Sequence, residues 1–295
     1  MIHFFNVFYL QTMGKVIVPN ETGFNCNSQN ITELDLSNCP NLTQLMCGRN
    51  KLTELDLQNC PNLTNLYCHN NQIAKLDLSK CPNLTVLWCG GNQLTELDLS
   101  NCPNLTELVY SSNKITKLDL SNCPHLTELY CDYNQLKELD LSNCPNLTDL
   151  VCYHNQLKEL DLQNCPDLTH LECYHNQLKE LDLQNCPNLT YLSCGNNQIT
   201  ELDLSNCPHL TQLFCYNNEI TELVNLSNCP NLTTLWCYDN KLTELDISQN
   251  TEIIEVDTKN NPFQNNFDYN IDKSIKIYRE WCTENYTYHT ECMLK

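Results

Sequence analysis

The chain has 295 residues, 41% hydrophobic and 18% charged, with a formal charge of −20. It can bury a core and is not of the disordered type. So acidic a chain repels phosphate backbones and anionic lipid, which argues against nucleic acid and membranes and favours a basic or aromatically bound partner.

Residues 1–23 form an N-terminal segment. It opens MIHFFNVFYLQTMGKVIVPN, where Asn6 and Gln11 interrupt the apolar run and no Lys or Arg precedes it. That is a poor secretory signal and is too short to span a membrane, so a cytoplasmic, reducing location is expected ahead of secretion. A start at Met13 is a second reading.

Residues 24–263 repeat. The unit LTELDLSNCPNLTxLxCxxNx recurs every 21 residues, with Cys-Pro at Cys39, Cys60, Cys81, Cys102, Cys123, Cys144, Cys165, Cys186 and Cys207. Cys229 follows after 22, and the extra residue lies within Leu223-Val224-Asn225-Leu226, where a local bulge is expected. The alternation in Leu45-x-Cys47 has period two, so both side chains point inward from a short strand. One unit cannot bury its leucines alone, but a stack can. Roughly twelve strands at about 4.8 Å give a rod of about 55–60 Å.

Each unit contains Leu-x-x-Leu-x-Cys-x-x-Asn-x-Leu, as in Leu42, Leu45, Cys47, Asn50 and Leu52. This resembles the leucine-rich repeat, in the short 21-residue nested class found in bacterial and giant-virus proteins. The half-unit Ile31, Leu34, Leu36, Cys39 is similar to the same pattern, with Cys39 in the place of the asparagine. The resemblance implies a leucine-rich-repeat solenoid with a parallel β-sheet on its concave face. Short strands or extended turns would lie on the convex side, with little helix except a C-terminal cap. It also implies that partners bind the concave sheet.

The asparagine column runs Asn50, Asn71, Asn92, Asn113, Asn134, Asn155, Asn176, Asn197, Asn218, Asn240 and Asn261. A stacked amide can satisfy backbone groups where the chain leaves the strand, so these residues are structural. Pro after Cys fixes φ at the opposite turn. Phe24 and Cys26 open a partial first unit in which Gln29 replaces the ladder asparagine; Val256, Thr258, Asn261, Pro262 and Phe263 form a degenerate last one. Residues 264–295 lose the period and form a C-terminal cap. There Ile271, Ile275, Tyr278 and Cys282 fall at near-helical spacing, which predicts a short helix over the open sheet end.

The chain has 22 cysteines. The second column, from Cys26 and Cys47 to Cys237, also occupies inward slots, which points to reduced thiols packed as small hydrophobes. No C-x-x-C pair occurs, and no zinc or other metal site is expected. Cys282 and Cys292, near His289, are a separate case that either pairs or does nothing. Leu-Asp-Leu places Asp35, Asp56, Asp77 and their successors in an outward column whose repulsion needs nearby Ser, Thr or backbone donors to offset it. No phosphate loop, G-x-S-x-G or H-E-x-x-H occurs, and His154 and His175 have no nucleophile beside them, so neither an enzyme nor a cofactor is expected.

The outward residues of the x-Leu-x-Cys-x strand change at almost every turn, and aromatics gather there. They are Tyr67, Trp88, Tyr130, Tyr133, Tyr153, Tyr174, Tyr191, Phe214, Tyr216, Trp236 and Tyr238. They alternate out of phase with the core and are of the type enriched in binding hot spots. All of these except Tyr191 are the candidate partner-binding set. Cross-strand stacking that only stabilises the sheet is the plainer alternative. Tyr110 occupies an inward Cys slot, where it is expected to push the strand or break the register. The expected function is a monomeric, non-enzymatic scaffold binding a protein partner. A glycan-binding module and a structural spacer are the alternatives.

Overall fold

The computed structural model describes residues 14–263 and 276–277. A 13-stranded parallel sheet lines one side of a solenoid, its strands following one another in chain order from Gly23–Asn25 to Lys276–Ile277. Each strand is three residues long except the last, and the register never slips: Leu45 pairs with Leu66, Leu66 with Leu87, Leu108 with Leu129. The reason is period two. Slipping by one residue would turn every core leucine out to solvent.

On the opposite side the half-units run mostly without a ladder. Among the described residues only Lys15–Ile17 with Glu33–Asp35, and Glu201–Asp203 with Glu222–Val224, pair as short parallel strands there. The convex turns close through local bonds instead, such as Cys60 N to Leu57 O at 3.0 Å and Leu63 N to Cys60 O at 3.2 Å. Each Asp of the outward column accepts the backbone N–H two residues on, as Asp77 does from Ser79 and Asp98 from Ser100, both at 2.9 Å. These bonds hold both carboxyls below their usual range, which answers the repulsion along the column.

The asparagine ladder works as its spacing predicts. Asn50 Oδ1 accepts from Gln29 N and Ile31 N, both at 3.0 Å, and its Nδ2 donates to Cys26 O at 2.9 Å and Cys47 O at 3.0 Å. Each amide thereby ties its own turn to the one before. A weaker copy runs through the convex cysteines: Cys39 Sγ lies 3.4 Å from Val18 O, and Cys102 Sγ lies 4.0 Å from Cys81 O. In the last turn Asn250 takes that same slot, 21 residues after Cys229. It is buried and donates to Leu226 O and Cys229 O, both at 2.9 Å.

The twenty described cysteines are buried, unlinked thiols. Burial pushes Cys60 and Cys68 up to about 12 and Cys81 to about 11, so at neutral pH they are packing groups rather than nucleophiles.

Three expectations need correction. Tyr110 neither displaces its strand nor breaks the register: Glu107–Val109 pairs in step with both neighbours, and Tyr110 N donates to Tyr130 O at 2.9 Å, as Cys89 N does to Val109 O at 2.8 Å. The small thiols beside it leave room for its ring, which is fully buried with its hydroxyl turned to Cys131. The extra residue near 224 makes no bulge within a strand. Asn225 absorbs it in the left-handed region at φ 58°, followed by a 3₁₀ turn, Leu226–Asn228. Finally, Lys276–Ile277, inside the expected helix, is a strand that extends the sheet beside Glu255–Asp257. An open edge offers unpaired backbone groups, and a strand satisfies them directly. The rest of that expected helix, with Cys282, Cys292 and His289, lies outside the described residues.

Candidate functional site

The concave face carries four outward positions per turn, the first at the start of each strand, as in Glu107, Glu128, Asp149 and His170, and the backbone fixes what each can hold. At the strand's end, Met46, Tyr67, Trp88, Val109, Tyr130, Val151, Glu172, Ser193, Phe214 and Trp236 fall in the second row. Two residues later comes a third row with Tyr153, Tyr174, Tyr216 and Tyr238. The next residue turns off the strand at positive φ, including Arg49, Tyr133, His154, His175 and Asp239 at 50–55°. His, Asn and Asp tolerate that region better than most; Tyr133 is the costlier occupant.

All ten sequence-predicted residues lie on this face and are half-buried. They are not one continuous stripe. Near the N-terminal end Tyr67 meets Trp88 edge-on at 5.1 Å, with His69 6.0 Å from the same indole. In the middle Tyr153 stacks on Tyr174 at 4.2 Å and 10°, and Tyr133 stacks on His154 at 4.5 Å, which stacks on His175 at 4.1 Å. Toward the C-terminal end Tyr216 stacks on Tyr238 at 4.9 Å, while Phe214 meets Trp236 edge-on at 5.1 Å. Glycines make room for some of the rings. A Cβ on Gly195 would lie 2.8 Å from the Tyr216 ring, so that ring rests over bare backbone. The same holds for His69 over Gly48, where a Cβ would lie 2.5 Å away.

Sequence reasoning left several neighbours out of the site. His154, His170 and His175 belong to the stacks, and His170 lies flat against Tyr191 at 4.3 Å. Burial, then the neighbouring His175, lowers the pKa of His154; burial lowers that of His175. Both rings are therefore neutral at pH 7. Carboxylates, outside the candidate set, share the face. Glu107, Glu128 and Asp149 face one another on consecutive strands. Burial, then Glu107 and Asp149, raises the pKa of Glu128. Tyr130, beside the same three acids, is pushed up to about 12, mainly by burial. Asp132 is buried two residues after Tyr130, accepting from the Ser111 hydroxyl, and its pKa is raised by burial. The signal that would have found them was the 21-residue column itself, read for charge as well as for rings.

Among the described residues no three His, Cys, Asp or Glu side chains converge as a metal site. No described helix is long and apolar enough to cross a membrane.

The profile of leucine-rich repeats in two copies matches residues 61–101, 103–143, 124–164, 166–206, 187–228 and 208–258. The chain belongs to the leucine-rich-repeat family. A solved structure described as the functional domain of InlJ from Listeria monocytogenes, which includes a cysteine ladder, is 39% identical with TM-score 0.75. That match covers 83% of this chain and 59% of the InlJ chain, so this chain spans about three fifths of its relative. An internalin, inlF, also from Listeria monocytogenes, is 22% identical at TM-score 0.75, over 89% of this chain and 87% of that one. A leucine-rich-repeat protein of Leptospira interrogans is 22% identical at TM-score 0.66, over 84% and 78%. At those identities the last two speak to the fold alone. No curated protein matches the chain. Leucine-rich-repeat proteins commonly serve as protein-interaction scaffolds.

Proposed function

We propose that this chain is a non-enzymatic scaffold that holds a protein partner across its concave strand face. The observation that carries the reading is where the aromatics sit. The core needs none of them, since inward slots are filled mostly by leucine, isoleucine and cysteine, with Tyr110 the one buried ring among the described residues. The convex half-units are nearly invariant from turn to turn, yet the concave positions differ at almost every one. Rings that are half-buried against each other are already ordered, so binding immobilises few of them further. Stacking also stabilises the sheet, but a purely structural role gives no reason for carboxylates, histidines and tyrosines to alternate along one face.

The contact set is Tyr67, Trp88, Tyr130, Tyr133, Tyr153, Tyr174, Phe214, Tyr216, Trp236 and Tyr238. The solenoid acts as a monomer between an N-terminal segment, residues 1–23, and a C-terminal cap, residues 264–295. It works in a reducing compartment, without cofactor, nucleic acid or membrane. The test is a pull-down with the parent chain and with Tyr153→Ala, Tyr174→Ala and Trp236→Ala. Captured protein should fall for all three. Unchanged capture would leave a spacer, and loss of glycan retention alone would leave a glycan-binding module.

A further inference from the structure

The concave face is segregated by charge as well as by ring. From Asn65 to Asp239 its outward and turn positions contain no Lys or Arg. The lysines of that stretch lie elsewhere, on the convex half as Lys75, Lys117, Lys137, Lys158 and Lys179, or outside the sheet as Lys80 and Lys114. Glu107, Glu128 and Asp149 form an unbroken row on adjacent strands; Tyr130 adjoins it in the next outward row, and the Tyr153–Tyr174 stack lies one row beyond that. The polar donors at the row's ends are neutral: Trp88 Nε1 on Glu107 and the Thr148 hydroxyl, at 2.8 Å, on Asp149. Among the described residues the lysine ion pairs are Lys15 with Glu33 and Asp35, Lys117 with Glu138, and Lys241 with Glu219, all away from this row.

We propose that this part of the concave face docks an arginine-rich segment of the partner protein, its guanidinium groups lying on the Glu107–Glu128–Asp149 row and against the faces of Tyr130, Tyr153 and Tyr174. The inference rests on the concave-face reading above and adds the chemistry of the occupant. Three neighbouring carboxylates with no cation of their own are stabilised by any positive group that reaches them. The rings select among cations. A guanidinium forks onto a carboxylate and stacks flat on a tyrosine in one pose, whereas an ammonium does only the first as a point charge. Partial burial strengthens both contacts over what open water allows.

The probe is a fluorescein-labelled peptide of alternating Arg and Gly, read by anisotropy against the full chain at physiological ionic strength. It should bind the parent, more tightly than the same peptide with Lys for Arg. Glu107→Gln/Glu128→Gln/Asp149→Asn should weaken it about tenfold, and Tyr153→Ala by several-fold. Asp119→Asn/Asp140→Asn/Asp161→Asn makes the same charge change on the convex side and keeps each turn's Oδ1 acceptor, so binding should not change. Equal loss from both triple variants would show bulk attraction to an acidic chain and overturn the proposal, as would no binding to the parent. If the peptide fails while Tyr153→Ala still loses its captured protein, only the arginine inference falls. If both fail, the concave-face reading falls with it.

Discussion

Asn134 shows how much one side chain carries in this fold. Its Oδ1 accepts from Ile115 N at 3.1 Å, and its Nδ2 donates to Tyr110 O at 3.1 Å and Cys131 O at 3.2 Å. Removing the amide strands buried backbone groups in two turns, at about 1–3 kcal/mol each. Asn134→Ala should therefore lower unfolding stability in urea by about 3 kcal/mol, with Asn134→Asp intermediate because its oxygen still accepts. The thiols make a different prediction. An unfolded thiol ionises near pH 8.5, whereas Cys60 and Cys144 in the fold are pushed up to about 12 and Cys81 to about 11. Below pH 8.5 both states hold the proton and nothing is lost. Above it only the unfolded state releases the proton, so stability falls as pH rises, by up to about 1.4 kcal/mol per pH unit for each such thiol. Under reducing conditions the urea midpoint should drop steeply between about pH 8.5 and 11, where a protein with exposed thiols would not show this term.

At the scale of one element, the sequence was read well wherever the period held. Leu45, Cys47 and Asn50 announce strand, core slot and turn, and the structure repeats that arrangement down the sheet. Reading failed where a slot was filled by the wrong residue type. Tyr110 looked disruptive because its size was weighed against one cysteine, when the space it uses belongs to the neighbouring thiols. Asn250 was passed over because its turn had lost Cys-Pro, yet it does more strongly what Cys229 does weakly. The grouping of the rings was not legible at all. It depends on side-chain tilt and on what glycines at 48 and 195 leave uncovered. The insertion gives a test at this scale. Asn225 sits at φ 58°, where a β-branched residue is strained and glycine is not. Asn225→Val should cost about 1–2 kcal/mol in thermal or urea unfolding, and Asn225→Gly close to nothing.

At the scale of the molecule, the ties that join one turn to another run to its immediate neighbour. The asparagine amides reach back one turn, and so do the threonine hydroxyls, as Thr64 does to Thr43 O at 3.0 Å and Thr85 to Thr64 O at 3.1 Å. Stability is then close to a sum over neighbouring turns, and a change in one outward residue reaches only the turns next to it. That independence lets the concave residues vary while the core stays fixed. It is also why comparing the chain with itself singles out the proposed site. The most direct test of the account is hydroxyl-radical footprinting of the chain bound to the protein it captures. Tyr130, Tyr153, Tyr174 and Trp236 should be protected, with the convex residues around Asp119, Asp140 and Asp161 oxidised as in the free chain. Protection of that convex set, with the concave rings unchanged, would contradict it.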